Sequence, residues 1–409
     1  MPYNVHVTPQ KIEVKDVPCQ GHGGIWPNAV LEYETYGARQ DSHKADKPVI
    51  VILPFFLGSA HAAGFHDPKG TKGNGYWEPL IGPGNAFNTD THYIVSFGPL
   101  ISSSFGPHLP NPATKAPYGS AFPNFSFANY ATIQKKALAA MGIQHVDVVA
   151  GASMGSLQAW HMLVDDLKFV DKMVLLVPGG ASLPTKTRQL ARKWVSMLES
   201  DPHWNNGNYY AIDPKTNKPT AFKPDTLGQV LGEFWYRCQF PLSTHLVWDQ
   251  LDEYYEEIFK ALGGADAGSS GLISDAVAKK LADTGKAGQA FAGQVGKLTK
   301  VTDYNTLLWQ LRTIDSFEAL DMVDEVVKVE REKPLRIMMI YAPSDDIFTE
   351  YSINETGLIG YKFQAQVSTI QFPPGSPHGA GLTPPGLGAL PNLDGQLKSW
   401  LNAGGGAKL

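Results

Sequence analysis

Residues Val146 to Leu163 read VDVVAGASMGSLQAWHML, and this stretch decides the fold. Val146, Val148, Val149 and Ala150 make the apolar run of a buried strand, Gly151-Ala-Ser153-Met-Gly155 makes a sharp turn, and Leu157 to Leu163 has the composition of a helix. The order is strand, G-x-S-x-G, helix. A turn this tight strains the backbone at the serine and leaves no room for a Cβ on either side of it, which is the physical job of the two glycines. It lifts the Ser153 hydroxyl out of the sheet edge and points a helix N-terminus at whatever is bound there. The plainer alternative makes Ser153 a helix N-cap. In a chain with 41 glycines the motif therefore has to be weighed by its context.

Working outward, Pro48-Val-Ile-Val-Ile-Leu53 is a continuous apolar run of the kind found in a central strand buried on both faces. It is followed by PFFLGSAHAAG (Pro54 to Gly64), a loop at the strand's carboxyl end. Tyr93 to Phe97 is a further strand, and Ala128 to Met141 is a helix leading into the serine strand. Downstream, Lys172 to Val177, Leu335 to Tyr341 and Gln366 to Phe372 read as strands, and Leu390 to Leu401 as a closing helix. Such alternation means a mostly parallel sheet, whose ligands bind beyond the carboxyl ends of the strands. Alternating stretches in the first 48 residues (Val5 to Val7, Lys11 to Val14, Ala29 to Tyr36) suit antiparallel strands at a sheet edge. Between them the rhythm changes to helical patterns rich in Leu, Trp and Tyr. The expected organisation is a core formed by residues 1–181 and 323–409, interrupted by a helical lid over 182–322. Within the lid, Leu262 to Lys297 is Gly/Ala-rich, and Phe234-Trp-Tyr236 and Trp248 to Phe259 read as aromatic packing.

Composition narrows the function. At 409 residues, 43% hydrophobic and 18% charged, the chain can bury a large core. Its net charge of −5 and the lack of any basic run argue against a nucleic-acid or anionic-membrane partner. Cys19 and Cys238 are the only cysteines, so neither a disulfide framework nor a zinc knuckle is expected. With no apolar leader at the start and no uncharged run of about 18 apolar residues, the expectation is a soluble, cytoplasmic protein.

A serine hydroxyl is a poor nucleophile near neutral pH, so it needs a histidine to take its proton and a carboxylate to hold that histidine in the right tautomer. The chain offers Ser153, then Asp345 or Asp346, then His378, the acid and the histidine each in a loop directly after an expected strand. Three strand ends in the order Ser, acid, His give the arrangement of the α/β-hydrolase fold, and spacing leaves the two aspartates undecided. In that arrangement the loop after Leu53 and the residue after the nucleophile supply the oxyanion-hole amides, which points to Leu57 and Met154. His161, on the serine helix, reads as a satisfied packing residue. His61 and His66 read as non-ligand loop residues, because no third ligand stands at a regular spacing. Neither metal nor cofactor is expected.

Over nearly its whole length the chain resembles the homoserine O-acetyltransferase-like family of α/β-hydrolases. The resemblance is carried by LGSAHAAG (Leu57 to Gly64), WEPLIGPGNAFNTDTHYIV (Trp77 to Val95), FGPHLPNPATKAPYGSAFP (Phe105 to Pro123), GASMGSLQA (Gly151 to Ala159), SDPHWNNGNY (Ser200 to Tyr209) and SDDIF (Ser344 to Phe348). It implies Asp345 as the acid, first in an S-D-x-hydrophobic-F motif, and a homodimer formed through the lid. Departures bear on the substrate. The family's acetyltransferases resemble G-G-S-M-G-G at the nucleophile, where Ala152 and Ser156 replace two glycines here. They carry an aspartate after the catalytic histidine, where this chain has Gly379, and an Ala-Arg pair in a lid helix, where it has Gly228-Gln229. Without those two polar anchors, the charged groups of homoserine would go unpaired.

The expectation is a serine esterase that cleaves short acyl (acetate) esters of small alcohols through an acyl-enzyme, as the family's esterase branch does. Ser153 attacks, His378 is base and then acid, Asp345 orients His378, and the Leu57 and Met154 amides hold the oxyanion. The alternative is an acyl-CoA-dependent O-acetyltransferase acting on homoserine or another small hydroxyl. A non-catalytic receptor built on the same pocket is the rival of a different kind.

Overall fold

The computed structural model describes residues 3–403 apart from 4, 41, 44, 68–73, 181, 214, 216–218, 222–224, 240–300, 318–333, 349–362 and 364. Eight strands form one sheet: β1 (Gln10–Pro18), β2 (Ile25–Tyr36), β3 (Val49–Leu53), β4 (Tyr93–Phe97), β5 (Val146–Ala152), β6 (Val170–Leu176), β7 (Arg336–Tyr341) and β8 (Gln366–Gln371). Their spatial order is β1-β2-β4-β3-β5-β6-β7-β8. β2 runs antiparallel to both β1 and β4, and every pairing from β4 to β8 is parallel. The antiparallel edge and parallel centre are those the sequence implied.

Burial on both faces explains the continuous apolar run of β3, in which all five residues are buried. Val49, Val51 and Leu53 point into one core with Val149, Leu157 and Trp160. Ile50 and Ile52 point into the opposite core with Val148, Ala150 and Trp77. Successive side chains alternate between the faces, so a strand covered on both sides cannot alternate apolar with polar. Helices α1 (Phe127–Ala140) and α2 (Met154–Asp165) cover the first face. The closing helix α6 (Leu393–Asn402) puts Leu393 and Leu397 into the second. The start of α1 is fixed by a capping box between Ser126 and Asn129.

Local outcomes differ from the sequence reading in instructive ways. Val5 to Val7 forms no strand; a single bridge joins His6 to Phe65. β2 begins four residues before the expected Ala29, because Trp26 and Ile25 continue the ladder against Val17 and Pro18. α2 starts at Met154, ahead of the apolar stretch at Leu157, because the turn rather than hydrophobic periodicity fixes its first residue.

Between β6 and β7 lie α3 (Thr185–Glu199), α4 (Asp225–Gln239) and α5 (Tyr304–Asp315), with a short antiparallel hairpin of Tyr210–Ile212 and Pro219–Ala221. Trp194, Leu198, Leu231 and Trp309 join the same core as Phe56 and Leu157, so these helices pack directly on the serine side of the sheet. Phe234 meets Phe56 and Trp194 edge-on, with ring centroids 4.7 and 6.0 Å apart. The Trp248–Phe259 and Leu262–Lys297 segments lie outside the described residues. Among the described residues no helix is long and apolar enough to cross a membrane, and Cys19 and Cys238 are buried free thiols.

Candidate active site

The turn between β5 and α2 sets Ser153 at φ 52°, ψ −122°, a left-handed conformation that is costly for a residue with a side chain. The neighbours over-determine it. The Ser153 amide donates to the Leu176 carbonyl at 3.0 Å, and the Ser153 carbonyl accepts from the Ser156 hydroxyl at 2.6 Å. That hydroxyl in turn accepts from the Gly179 amide at 3.0 Å. A Cβ on Gly155 would lie 2.4 Å from the Leu53 carbonyl oxygen, and one on Gly151 would lie 2.4 Å from backbone atoms of Gly155. Both glycines are thus required by backbone crossing at van der Waals limits, as the motif implied. Ser156, one of the departures from glycine, is accommodated because its hydroxyl ties the turn to the strand end at Gly179.

Three strand-end loops then converge. His378 Nε2 is 2.8 Å from Ser153 Oγ, and His378 Nδ1 is 2.7 Å from Asp345 Oδ2. The other carboxylate oxygen of Asp345 accepts the amides of Ile347 and Phe348 at 2.8 and 2.9 Å, which locks its orientation. Ser153, Asp345 and His378 are all buried, and the Phe348 ring lies edge-on to the imidazole at 5.6 Å. Such a line can move a proton from a hydroxyl to an imidazole while a fixed carboxylate holds the tautomer.

Asp346, equally buried, faces away from the histidine. It pairs with Lys186 of α3 and Arg237 of α4, and Arg237 also pairs with Glu233 at 3.0 Å. Thr187 of α3 donates to the Ile347 carbonyl. Helices α3 and α4 therefore grip the loop that carries Asp345. Behind the same loop Cys238 is fully buried. Burial, then the charges of Asp345 and Asp346, push its thiol well above the ordinary range, so it is no nucleophile.

Of the two expected amide donors, Met154 opens α2, where the first amides have no carbonyl within the helix to bond. Leu57 sits at φ 60°, and its amide donates to Gln310 Oε1 at a long 3.4 Å. Gln310, buried on α5, donates in turn to the Ile101 carbonyl at 2.8 Å. At the start of the same loop, Gln158 of α2 donates to the Pro54 carbonyl at 2.9 Å. Gln310, Lys186, Arg237 and Gln158 escaped the sequence reading. Each acts across more than 100 residues of chain, and none carries a local motif.

Two readings of histidines need correction. His161 does pack, between Phe127 and Phe317, but it is not satisfied: neither ring nitrogen has a hydrogen-bond partner. Burial lowers its pKa to about 4. His61 and His66 do have a third potential ligand beside them, Glu34 of β2, a strand neighbour that no spacing within the loop could reveal.

Comparisons with known proteins agree with this architecture. The alpha/beta hydrolase fold family matches residues 99–224. A homoserine O-acetyltransferase of Methanohalophilus mahii is 34% identical over 187 residues, covering 45% of this chain and 37% of that protein. A homoserine O-succinyltransferase of Magnetococcus marinus is 28% identical over 333 residues, covering 79% and 77%. The match to the Methanohalophilus relative thus spans little more than a third of its length. Among solved structures, a homoserine O-acetyltransferase from Bacillus anthracis superposes with a TM-score of 0.71 at 18% identity, over 99% of this chain and 100% of that one. An acetylester hydrolase from Corynebacterium glutamicum gives 0.66 at 17%, over 97% and 96%. Strand order, serine turn and matched profile define an α/β hydrolase. Within that class, the chain is similar to homoserine O-acetyltransferases and to a homoserine O-succinyltransferase.

Proposed function

We propose that the protein transfers a small acyl group through an acyl-enzyme on Ser153. The observation that carries this reading is the buried line from Ser153 Oγ through His378 to Asp345, with both bonds at 2.7–2.8 Å. Ser153 Oγ attacks the acyl carbon while His378 Nε2 takes the hydroxyl proton. The Leu57 and Met154 amides meet the oxyanion, the long Leu57–Gln310 bond being one that an anionic oxygen readily displaces. The protonated His378 gives its proton to the leaving group, leaving acyl-Ser153. An acceptor O–H then repeats the sequence in reverse and frees the serine.

The names of the relatives support an acceptor that is a small hydroxyl compound such as homoserine and an acetyl or succinyl group as cargo; an acyl-CoA donor is the one the alternative read from the sequence supplies. They favour that reading over the esterase expected from the sequence. The resemblance read in the sequence favours hydrolysis as the second reading: it implies an aspartate and an arginine that hold the amino acid in the acetyltransferases, where this chain has Gly379 and Gln229. Deciding between them takes one experiment. The purified protein and Ser153→Ala are given acetyl-CoA with homoserine, or ethyl acetate alone, and free CoA and acetate are followed separately. CoA release that depends on homoserine supports transfer; acetate from ethyl acetate with CoA untouched supports the esterase. Turnover that survives in Ser153→Ala would overturn both.

A further inference from the structure

The loop that follows β3 and carries Leu57 is fastened to the sheet by a cluster that the reaction above does not use. Glu34 lies on β2 opposite Ser96 of β4, with its carboxylate almost wholly buried. His61 Nδ1 is 3.0 Å from one carboxylate oxygen, and His66 Nε2 is 2.6 Å from the other. The two imidazoles lie 3.9 Å apart between ring centroids. One nitrogen of each ring and a carboxylate oxygen all fall within 4.8 Å of one another.

We propose that Glu34, His61 and His66 form a binding site for a divalent transition-metal ion, with Zn²⁺ the best fit. Two imidazole nitrogens and one carboxylate oxygen are the donor set of a borderline-soft cation, and they leave a fourth position for water. Calcium and magnesium, which require six or more oxygen ligands, do not match it. With metal–ligand bonds of roughly 2.1 Å, tetrahedral donors stand about 3.4 Å apart, so the shortest contact has to open by just under about 1 Å and donors as far apart as 4.8 Å have to close by up to about 1.4 Å. In the neutral form that binds, each ring turns its lone pair to the metal and carries its proton on the other nitrogen. The carboxylate is already oriented, as such ligands generally are. Tyr36 donates its hydroxyl to Glu34 at 2.8 Å and accepts the Ala62 amide at 2.7 Å. His66, about half exposed at its side chain, gives the ion a path from solvent.

The bound ion would be structural. It would clamp the segment from Pro54 to Gly64 onto β2 at a point four residues beyond Leu57, and no step of the acyl transfer passes through it.

The test uses the full chain, stripped with a chelator and then titrated with Zn²⁺ by calorimetry and with Co²⁺ by visible absorption. The expected result is one equivalent of Zn²⁺ bound and the intense bands of four-coordinate cobalt. His66→Ala, at a half-exposed position that the fold tolerates, should weaken Zn²⁺ at least tenfold and remove the cobalt bands, and Glu34→Gln should do the same. If the stripped protein binds neither ion, the proposal fails and the cluster is a hydrogen-bonded brace. It fails equally if His66→Ala binds Zn²⁺ as tightly, with an unchanged cobalt spectrum. Because the readout is stoichiometry and spectrum, loss of acyl transfer for any other reason leaves the result interpretable.

Discussion

Ser153 and Asp345 stand at the ends of two strands separated only by β6, yet they are held by opposite means. The serine's conformation is set by residues within three positions of it, Gly151 and Gly155 permitting the crossing and Ser156 tying it down, and the neighbouring strand adds only the Leu176 carbonyl and the Gly179 amide. The aspartate is fixed from afar. Its own loop supplies two amides, but Lys186, Thr187 and Arg237 come to that loop from helices more than 100 residues away in sequence. The serine turn is thus a local device and the seat of Asp345 a tertiary one. Substitutions at the first should act all or nothing, while those at the second should divide between chemistry and stability.

The largest effect is expected at the nucleophile. Ser153→Ala should lower acyl turnover by about 10⁴-fold or more while leaving the thermal midpoint nearly unchanged, since only a hydroxyl is removed from a turn that its neighbours hold. Steady-state kinetics beside a thermal melt checks this, and a variant that keeps a tenth of the activity would remove Ser153 from the mechanism.

The neighbouring aspartates sharpen the contrast. Asp345→Asn should cost about 10³–10⁴-fold in kcat, because an amide in place of the carboxylate favours the wrong histidine tautomer. Asp346→Asn should leave kcat within about tenfold but lower stability by roughly 1–3 kcal/mol, since it uncouples Lys186 and Arg237 from a buried acceptor. Comparable losses of kcat in the two would show that the contacts from α3 and α4 are part of the chemistry rather than its support.

At the elbow itself, Gly155→Ala should destabilise by about 1–3 kcal/mol or prevent folding. Its Cβ would stand 2.4 Å from a carbonyl oxygen of β3, and backbone cannot yield as a side-chain tip can. A chemical-denaturation midpoint equal to that of the parent would mean that β3 and α2 leave room for a methyl group between them.

This difference also governs what could be read in the sequence. β3, β5 and the serine turn were legible because one face, one period and one short motif decide them. Ser153 and His378 each followed a strand, so strand ends sufficed to locate them, although spacing left Asp345 and Asp346 open until a family motif selected the first. The grip of α3 and α4 on the acid loop was not legible, because a lysine or an arginine on a helix has no partner until the helices are placed. Glu34 was hidden for the same reason: it meets His61 and His66 only when β2 lies beside β4, and the charge looked like an ordinary edge-strand residue. Val5 to Val7 shows the converse, an alternation that found no strand to pair with beyond a single bridge.

His161 gives the smallest effect and tests whether the core beneath the serine helix is as dry as it looks. Both ring nitrogens are buried without a partner, a cost that a neutral aliphatic side chain would not incur. Desolvation outweighs the pull of Asp165, one turn further along α2, and holds the folded-state pKa near 4 against an ordinary 6.5. The folded protein therefore binds fewer protons than the unfolded chain between those values. Its stability should be full above pH 6.5 and fall as the pH drops toward 4, by up to about 3 kcal/mol from this group alone. His161→Leu, close in volume and flanked by Phe127 and Phe317, should raise stability by about 1 kcal/mol at pH 7.5 and flatten the decline between pH 6.5 and 4. Denaturant midpoints of both proteins at pH 7.5 and pH 5 measure the two differences. A leucine variant that is weaker at pH 7.5 would mean that the imidazole has a buried water as partner. The serine helix would then rest on a hydrated polar pocket rather than on the unpartnered imidazole described between Phe127 and Phe317.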